Sequence, residues 1–220
     1  MAIFLFFSRD KEQEGVYQDY SDYIKSQVTQ DLPGGVFLSL LRQIRSDIGF
    51  EPFVDIIHGN NLVLKERVLE KVSHQISEQS VQLLKEALTD PDPEARFFAA
   101  KGLMRVEDSL NHKIQAALYK TSLRALAQDF SLLGDLYRLY AKIGLASQAM
   151  ASRYFFLACD AYQNSLDRNT NQPTVLINYA KCLMEVNRIH KAKAILDHGF
   201  GVWPKNKDLL FLRAQVYFEL

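Results

Sequence analysis

The sequence predicts an all-α fold, an α-α superhelical solenoid in which short helical pairs stack on one another. Three observations carry this. Gly (10) and Pro (6) are scarce in 220 residues, while Leu, Ala, Lys and Glu abound, which favours helices with short connections. Apolar residues recur at three- and four-residue spacing, and no stretch alternates with period two for long enough to make a convincing strand. The helical pattern also repeats along the chain, once with one period and later with another.

Composition narrows the function classes. Apolar residues make up 48% of the chain, enough to bury a core. Lys plus Arg and Asp plus Glu both total 26, so the net charge is zero. That balance argues against a dedicated nucleic-acid binder or a polybasic membrane-surface protein, both of which depend on massed cations.

The elements follow in order. Met1–Phe7 (MAIFLFF) is too short to span a bilayer, which takes about 20 residues, and it lacks the basic start and cleavage site of a signal peptide. It reads either as an element start docking on the body or as the tail of a membrane helix. Tyr17, Tyr20, Ile24 and Val28 align on an amphipathic helix that closes a leader region, 1–30. Leu32-Pro33-Gly34-Gly35 breaks it, and Val36–Ile48 follows as a second helix. Next come helices at Glu51–His58, Leu64–Ile76, Ser80–Thr89 and Pro93–Val106, with Gly59-Asn60-Asn61 breaking the first pair.

Two of these pairs superimpose with a shift of 31 residues: Phe53 falls on Leu84, Ile57 on Leu88, Lys65 on Arg96, Val68 on Ala99, Leu69 on Ala100 and Val72 on Leu103. In the clearer copy, Asp92 is a natural N-cap and Pro93 suits the first helical position. Arg96 is placed to pair with Asp90, Asp92 or an acid of the next unit, and Ala99 and Ala100 let helices approach closely. This segment resembles the HEAT-repeat pattern, assigned to residues 31–108.

Residues 107–130 read as a separate connecting helix. Pro173–Pro204 then has Leu176, Tyr179, Ala180 and Leu183 on a first helix and Ala192, Leu196, Gly199 and Phe200 on a second. Leu210, Ala214 and Tyr217 repeat the first helix 34 residues after Leu176, Ala180 and Leu183. This resembles the tetratricopeptide repeat, whose period is about 34 residues. Leu133–Tyr137 with Phe155, Ala158, Tyr162 and Leu166 resembles an earlier unit, stretched by longer helices or a longer loop. The tetratricopeptide-like region with its connecting helix covers 109–220, and its last repeat is incomplete. Lys207–Leu220 stops without a helix-stop signal, so both ends read as cut from a longer chain.

The search for catalysis yields little. His58, His74, His112, His190 and His198 form no HExxH or HxH pattern, and His190 and His198 read as surface groups. No phosphate-cradling loop and no nucleophile elbow is present. Cys159 and Cys182 have no metal-ligand spacing and read as buried thiols, a single disulfide being the alternative. The chain therefore reads as a non-enzyme without metal or cofactor.

Two groups of residues point instead to a partner. Tyr137, Tyr140, Tyr154, Phe155, Phe156 and Tyr162 crowd one unit, interleaved with Arg138, Lys142 and Arg153. They are either packing residues or a stacking surface. On the later first helix, Thr174, Ile177, Asn178 and Lys181 face the groove that stacked helical pairs enclose. Asn178 and Lys181 suit a peptide backbone or a carboxylate. The candidate partner-binding residues are Tyr137, Arg138, Tyr140, Asn178 and Lys181.

Asp92–Leu103, Gly134–Ile143 with Tyr154–Leu166, and Pro173–Pro204, taken in that order, resemble the soluble region of the PelE family of the bacterial Pel exopolysaccharide machinery. The resemblance covers residues 33–220 and implies a scaffold in an inner-membrane synthesis and export complex. Its partners would be a PelD-type cyclic-di-GMP receptor, a PelF-type glycosyltransferase and a PelG-type transporter. It further implies a cytoplasmic region of an inner-membrane protein, anchored through segments absent from this chain. Two other readings are open: a peptide-binding adaptor unrelated to polysaccharide, and a HEAT-like bilin lyase.

Overall fold

The computed structural model describes residues 51–219. The leader at Met1–Phe7 and the helices expected at Tyr17–Val28 and Val36–Ile48 lie outside the described residues. Among the described residues every regular element is an α-helix: α1 (Glu51–His58), α2 (Leu62–Ser73), α3 (Glu78–Ala87), α4 (Pro93–Arg124), α5 (Ala127–Lys142), α6 (Gln148–Arg168), α7 (Pro173–Glu185), α8 (Ile189–Val202) and α9 (Lys207–Glu219). The described residues divide into two compact units, 51–75 with Gln82–Met104, and Ile76–Val81 with 105–219.

In the first unit, Phe53, Ile56 and Ile57 of α1 are buried, as are Val68, Leu69 and Val72 of α2. α2 begins two residues earlier than its apolar pattern suggests, because the Asn61 side chain accepts from the Leu64 amide and caps the helix. Burial also corrects the repeat register. Ala100, the expected counterpart of buried Leu69, is exposed, whereas Lys65, Leu69 and Val72 match buried Ala95, Ala99 and Gly102, an offset of 30. Gly102 matters because a Cβ there would lie 2.6 Å from Leu84 Cδ2. Close approach is thus set by Ala99 and Gly102, not by the pair Ala99 and Ala100.

The turn between α3 and α4 is tied by side chains. Asp92 Oδ1 accepts from the Glu94 amide at 2.8 Å, the capping role read from sequence. Asp90 Oδ1 accepts from the Asp92 amide at 2.9 Å, and its other oxygen takes a hydrogen bond from the Lys65 ammonium. Both partners of that ion pair are buried. Arg96 does not pair with either carboxylate; its guanidinium donates to the carbonyls of Asp90 and Pro91 at 2.8 and 2.9 Å. The Asp90 carboxylate is already engaged by Lys65 and the Asp92 amide, and the guanidinium meets the carbonyls of the turn. Burial pushes the Asp90 carboxyl up, but the Lys65 and Asp92 hydrogen bonds and the charges of Lys65 and Arg96 outweigh it and hold it below its ordinary value.

α4 overturns a boundary expected from sequence. It runs unbroken for 32 residues, so Pro93–Val106 and a separate connecting helix at 107–130 do not exist as two elements. No proline follows Pro93 in the segment, and one buried stripe continues through Ala95, Ala99, Val106, Leu110, Ile114 and Ala117. The break comes at Ala125, whose φ of 52° is left-handed. An alanine there costs about 1 kcal/mol. Within the second unit, α6 holds the turn: Arg168 Nε donates to the Ala125 carbonyl at 2.9 Å and Ser165 Oγ to that of Ala127 at 2.8 Å.

α5 and α6 form an antiparallel hairpin, of 16 and 21 residues, joined through the loop 143–147. The extra length that stretches this unit therefore lies in its helices. Gly144, with φ of 85°, ends α5, and Ser147 caps α6. α7 packs on α6, α8 on α7, and α9 on both α7 and α8. Asn187, with φ of 57°, turns the chain between α7 and α8. Its amide and that of Arg188 return to the carbonyls of Met184 and Leu183, which satisfies the end of α7. Ala192 is fully buried. A Cβ at Gly199 would come within 2.8 Å of Leu209 and 2.9 Å of Leu176, so α8 is pressed between α7 and α9 at a residue without a side chain.

Glycines separate cleanly into two kinds. At Gly134 a Cβ would lie 2.6 Å from the Tyr162 ring, whereas at Gly201 nothing lies within 4 Å. Gly134→Ala is expected to destabilise the chain by about 1–3 kcal/mol through overpacking. Gly201→Ala should instead stabilise it by about 0.5 kcal/mol through helix propensity; urea denaturation of the two variants checks the opposite signs. In the first unit, Asp90→Ala strands a buried ammonium and should cost about 3–5 kcal/mol, with Asp90→Ala/Lys65→Met less destabilised than Asp90→Ala alone. Because the folded-state value of Asp90 is depressed, its contribution is present above the ordinary value of 3.8 and is lost as pH falls through the folded value. Acid titration of the urea midpoint should therefore fall less steeply in Asp90→Asn than in the parent.

Candidate functional site

Helical spacing builds the site. On α5, Asp135, Arg138 and Lys142 recur at three and four residues and so share one face; on α7, Asn178, Lys181 and Glu185 recur with the same spacing. The two rows are in register. Asn178 Nδ2 donates to Asp135 Oδ1 at 3.1 Å, and Lys142 pairs with Glu185 at 3.0 Å. These contacts form two rungs of a ladder that fix α7 against α5, and between them Cys182 of α7 lies near Arg138 and Lys142.

A third helix supports the ladder from beneath. The Tyr162 ring of α6 is fully buried, and its hydroxyl donates to Asp135 Oδ1 at 2.6 Å while accepting from Arg138 Nε at 3.2 Å. Burial first, then the adjacent Asp135 carboxylate, keeps this phenol protonated well above the usual tyrosine range. Burial opposes the charge of Arg138, but Tyr162 and Asp135 favour it more and raise its pKa further. The phenol therefore acts as a fixed hydrogen-bond relay between an anion and a cation, not as an acid or base.

Arg138 is held by this relay, its side chain only 28% exposed. Lys181 differs from it: it is exposed and has no hydrogen bond or ion pair among the described residues. Asn178 is half-buried against Asp135, and Thr174 is exposed on the same helix. Ile177, expected to face the groove, is buried instead.

Tyr137 and Tyr140 do not belong to this surface. Both are buried, and both pack on Tyr154, with ring centroids 5.8 and 4.1 Å away. The Tyr140 hydroxyl donates to Glu107 at 2.8 Å, which ties α5 to the later part of α4. Burial, then Glu107, raises the Tyr140 phenol above its ordinary value, and burial with Tyr154 does the same for Tyr137. Of the two readings open for the tyrosine cluster, these rings are packing residues. Partner contact through Tyr137 and Tyr140 is corrected accordingly. Asp135, Lys142 and Glu185 were missed as members of the face. The signal lay in the identical spacing of the two rows, 43 residues apart.

No family model matches the chain, and no curated protein or solved structure is significantly similar to it.

The polar cluster between α8 and α9 is closed on itself. Asp197 accepts from Arg213 at 2.6 Å, Lys193 at 3.0 Å and the Tyr217 hydroxyl at 3.1 Å. Those hydrogen bonds, Arg213 first, hold its carboxyl low against the opposing effect of burial. This cluster pins α8 to α9 and leaves no acceptor free. His190 and His198 are exposed, as expected. Among the described residues no three His, Cys, Asp or Glu side chains are grouped to hold a metal ion, and no helix is long and apolar enough to cross a membrane.

Tyr162→Phe tests the relay. It keeps the ring over Gly134 but removes one bond to a carboxylate and one from a guanidinium. The expected cost is about 1–2 kcal/mol, less than full loss because Asp135 retains Asn178 and water; chemical denaturation measures it.

Proposed function

We propose that this chain is a non-catalytic scaffold that binds other proteins through the face shared by α5 and α7. The observation that carries the reading is Lys181, exposed and without a hydrogen bond or ion pair among the described residues, on the helix that Asn178 and Glu185 fasten to α5. Arg138 is already solvated by Tyr162 and Asp135. Lys181 suits a carboxylate or backbone carbonyl delivered by another chain, and Asn178 lies one turn away to orient it.

On this reading the helical pairs stack as an α-α superhelical solenoid, HEAT-like first and tetratricopeptide-like second, with α5 and α7 lining its inner face. The sequence resemblance to the PelE family supplies the setting: the cytoplasmic side of an inner-membrane exopolysaccharide complex. There the partners are a PelD-type receptor, a PelF-type glycosyltransferase and a PelG-type transporter. The all-helical packing and the repeated glycine or alanine at helix crossings support the architecture. A peptide-binding adaptor unrelated to polysaccharide is the second reading, favoured by the same exposed Lys181 and Asn178, and gene neighbours separate the two.

Pull-down of the full chain with the three Pel-type components tests the proposal. Lys181→Glu should weaken capture of the true partner at least tenfold, about 1.4 kcal/mol, and Asn178→Ala should weaken it less. Circular dichroism should show both variants folded. Undiminished capture by Lys181→Glu would place the contact elsewhere, and turnover of a small molecule without any protein partner would refute the scaffold.

A further inference from the structure

The two cysteines have no role in the ladder, yet they meet. Cys159 on α6 is 4% exposed and Cys182 on α7 is fully buried; both are free thiols. Helix register places them opposite each other. Tyr179 of α7 donates to Gln163 of α6 at 2.9 Å, and these helices run antiparallel. One turn back from Gln163 is Cys159, and one turn on from Tyr179 is Cys182. The two thiols lie near enough for each to shift the other's ionisation. Ala158, Ala161 and Ala180 surround them and are buried, so little bulk holds the helices apart.

We propose that Cys159 and Cys182 are a redox pair that a small hydroperoxide closes into a disulfide, fastening the α5–α6 hairpin to α7.

The surroundings assign the roles. Cys159 is the more exposed of the two cysteines. The neighbouring Cys182 thiol favours the Cys159 thiolate, and Arg188 and Lys191 assist, against burial and Asp160. The neighbouring Cys159 raises the Cys182 thiol, together with burial and despite Arg138 and Lys142. Cys159 is therefore the attacking sulfur. Its thiolate bonds to one peroxide oxygen, the O–O bond breaks, and the departing hydroxide takes up the thiol proton as water, leaving a sulfenic acid. The Cys159 charge that held the Cys182 proton is then gone. Cys182 sheds it with Arg138 and Lys142 nearby and attacks Cys159 Sγ. The S–S bond forms, the S–O bond breaks, and a second water leaves. In sum, two thiols and one hydrogen peroxide give one disulfide and two waters. The near-complete burial selects a small oxidant over a bulky disulfide.

The experiment exposes the full chain to hydrogen peroxide and maps its peptides under non-reducing conditions. The expected product is a peptide pair joined through Cys159 and Cys182 within one chain, reversed by dithiothreitol. Cys182→Ser should trap Cys159 as a sulfenic acid that dimedone labels, whereas Cys159→Ser should leave Cys182 unlabelled. Cys182→Ala gives the same readout without a buried hydroxyl, and the parent chain needs no variant at all. Thiols that stay reduced, that oxidise separately to sulfinic acids, or that join only between chains would overturn the proposal. None of these outcomes depends on whether α5 and α7 bind a partner.

Discussion

Tyr162 lies over Gly134 so closely that any side chain at that glycine would enter the ring. The second unit is organised around this contact. It sets how near α6 comes to α5, and so fixes the depth at which the phenol hydroxyl emerges between Asp135 and Arg138. Asp135 in turn accepts from Asn178, so one buried ring determines the spacing of three helices. A hydrophobic contact alone is indifferent to register. A buried phenol ending on an anion and a cation is not, because sliding by one turn would strand the hydroxyl in the core.

The same device recurs wherever helices cross tightly. Gly102 accommodates Leu84 in the first unit, and Gly199 accommodates Leu176 and Leu209 in the second. A mid-helix glycine costs about 1 kcal/mol against alanine in propensity, so its presence is explained only if close packing returns more. Burial of the facing leucines does so, at about 1.5–3 kcal/mol for a large side chain. Gly201 has no such neighbour, and nothing in the structure explains why it is glycine.

Much of this was legible in the sequence. Asp92-Pro93-Glu94 marked the start of α4 because capping chemistry is local, and Gly59-Asn60-Asn61 likewise marked the break before α2. Ala192, Leu196 and Gly199 declared a helix crossing through their sizes. Local signals failed where the decisive partner is distant. Nothing near Val106 says that α4 continues to Arg124, and its end rests on a left-handed alanine held by Arg168, 43 positions away. Tyr137 and Tyr140 looked like a surface because their burial depends on Tyr154 and Glu107, across a loop and on another helix. Arg96 was assigned to carboxylates because sequence does not reveal that Lys65 already occupies Asp90.

Saturation, more than charge, distinguishes the ladder from the Lys65–Asp90 and Asp197 clusters. Lys65 and Asp90 neutralise each other in a buried pair, where an unpaired partner would be strongly unfavourable. Asp197 spends both oxygens on three donors. Such clusters specify which helices meet and have nothing left for a ligand. In the ladder, Asp135 and Arg138 are consumed in the same way by Tyr162 and Asn178, and Lys142 by Glu185. Lys181, one turn from Asn178 on α7, is exposed and has no such partner among the described residues. An exposed ammonium costs nothing to leave in water, so folding does not require this arrangement. Its neighbours are nonetheless held in place by a buried network, which lowers the entropy cost of presenting a donor to another chain. A rigid frame beside an exposed ammonium is what the proposed scaffold requires, and a zero net charge over the whole chain gives no hint of it.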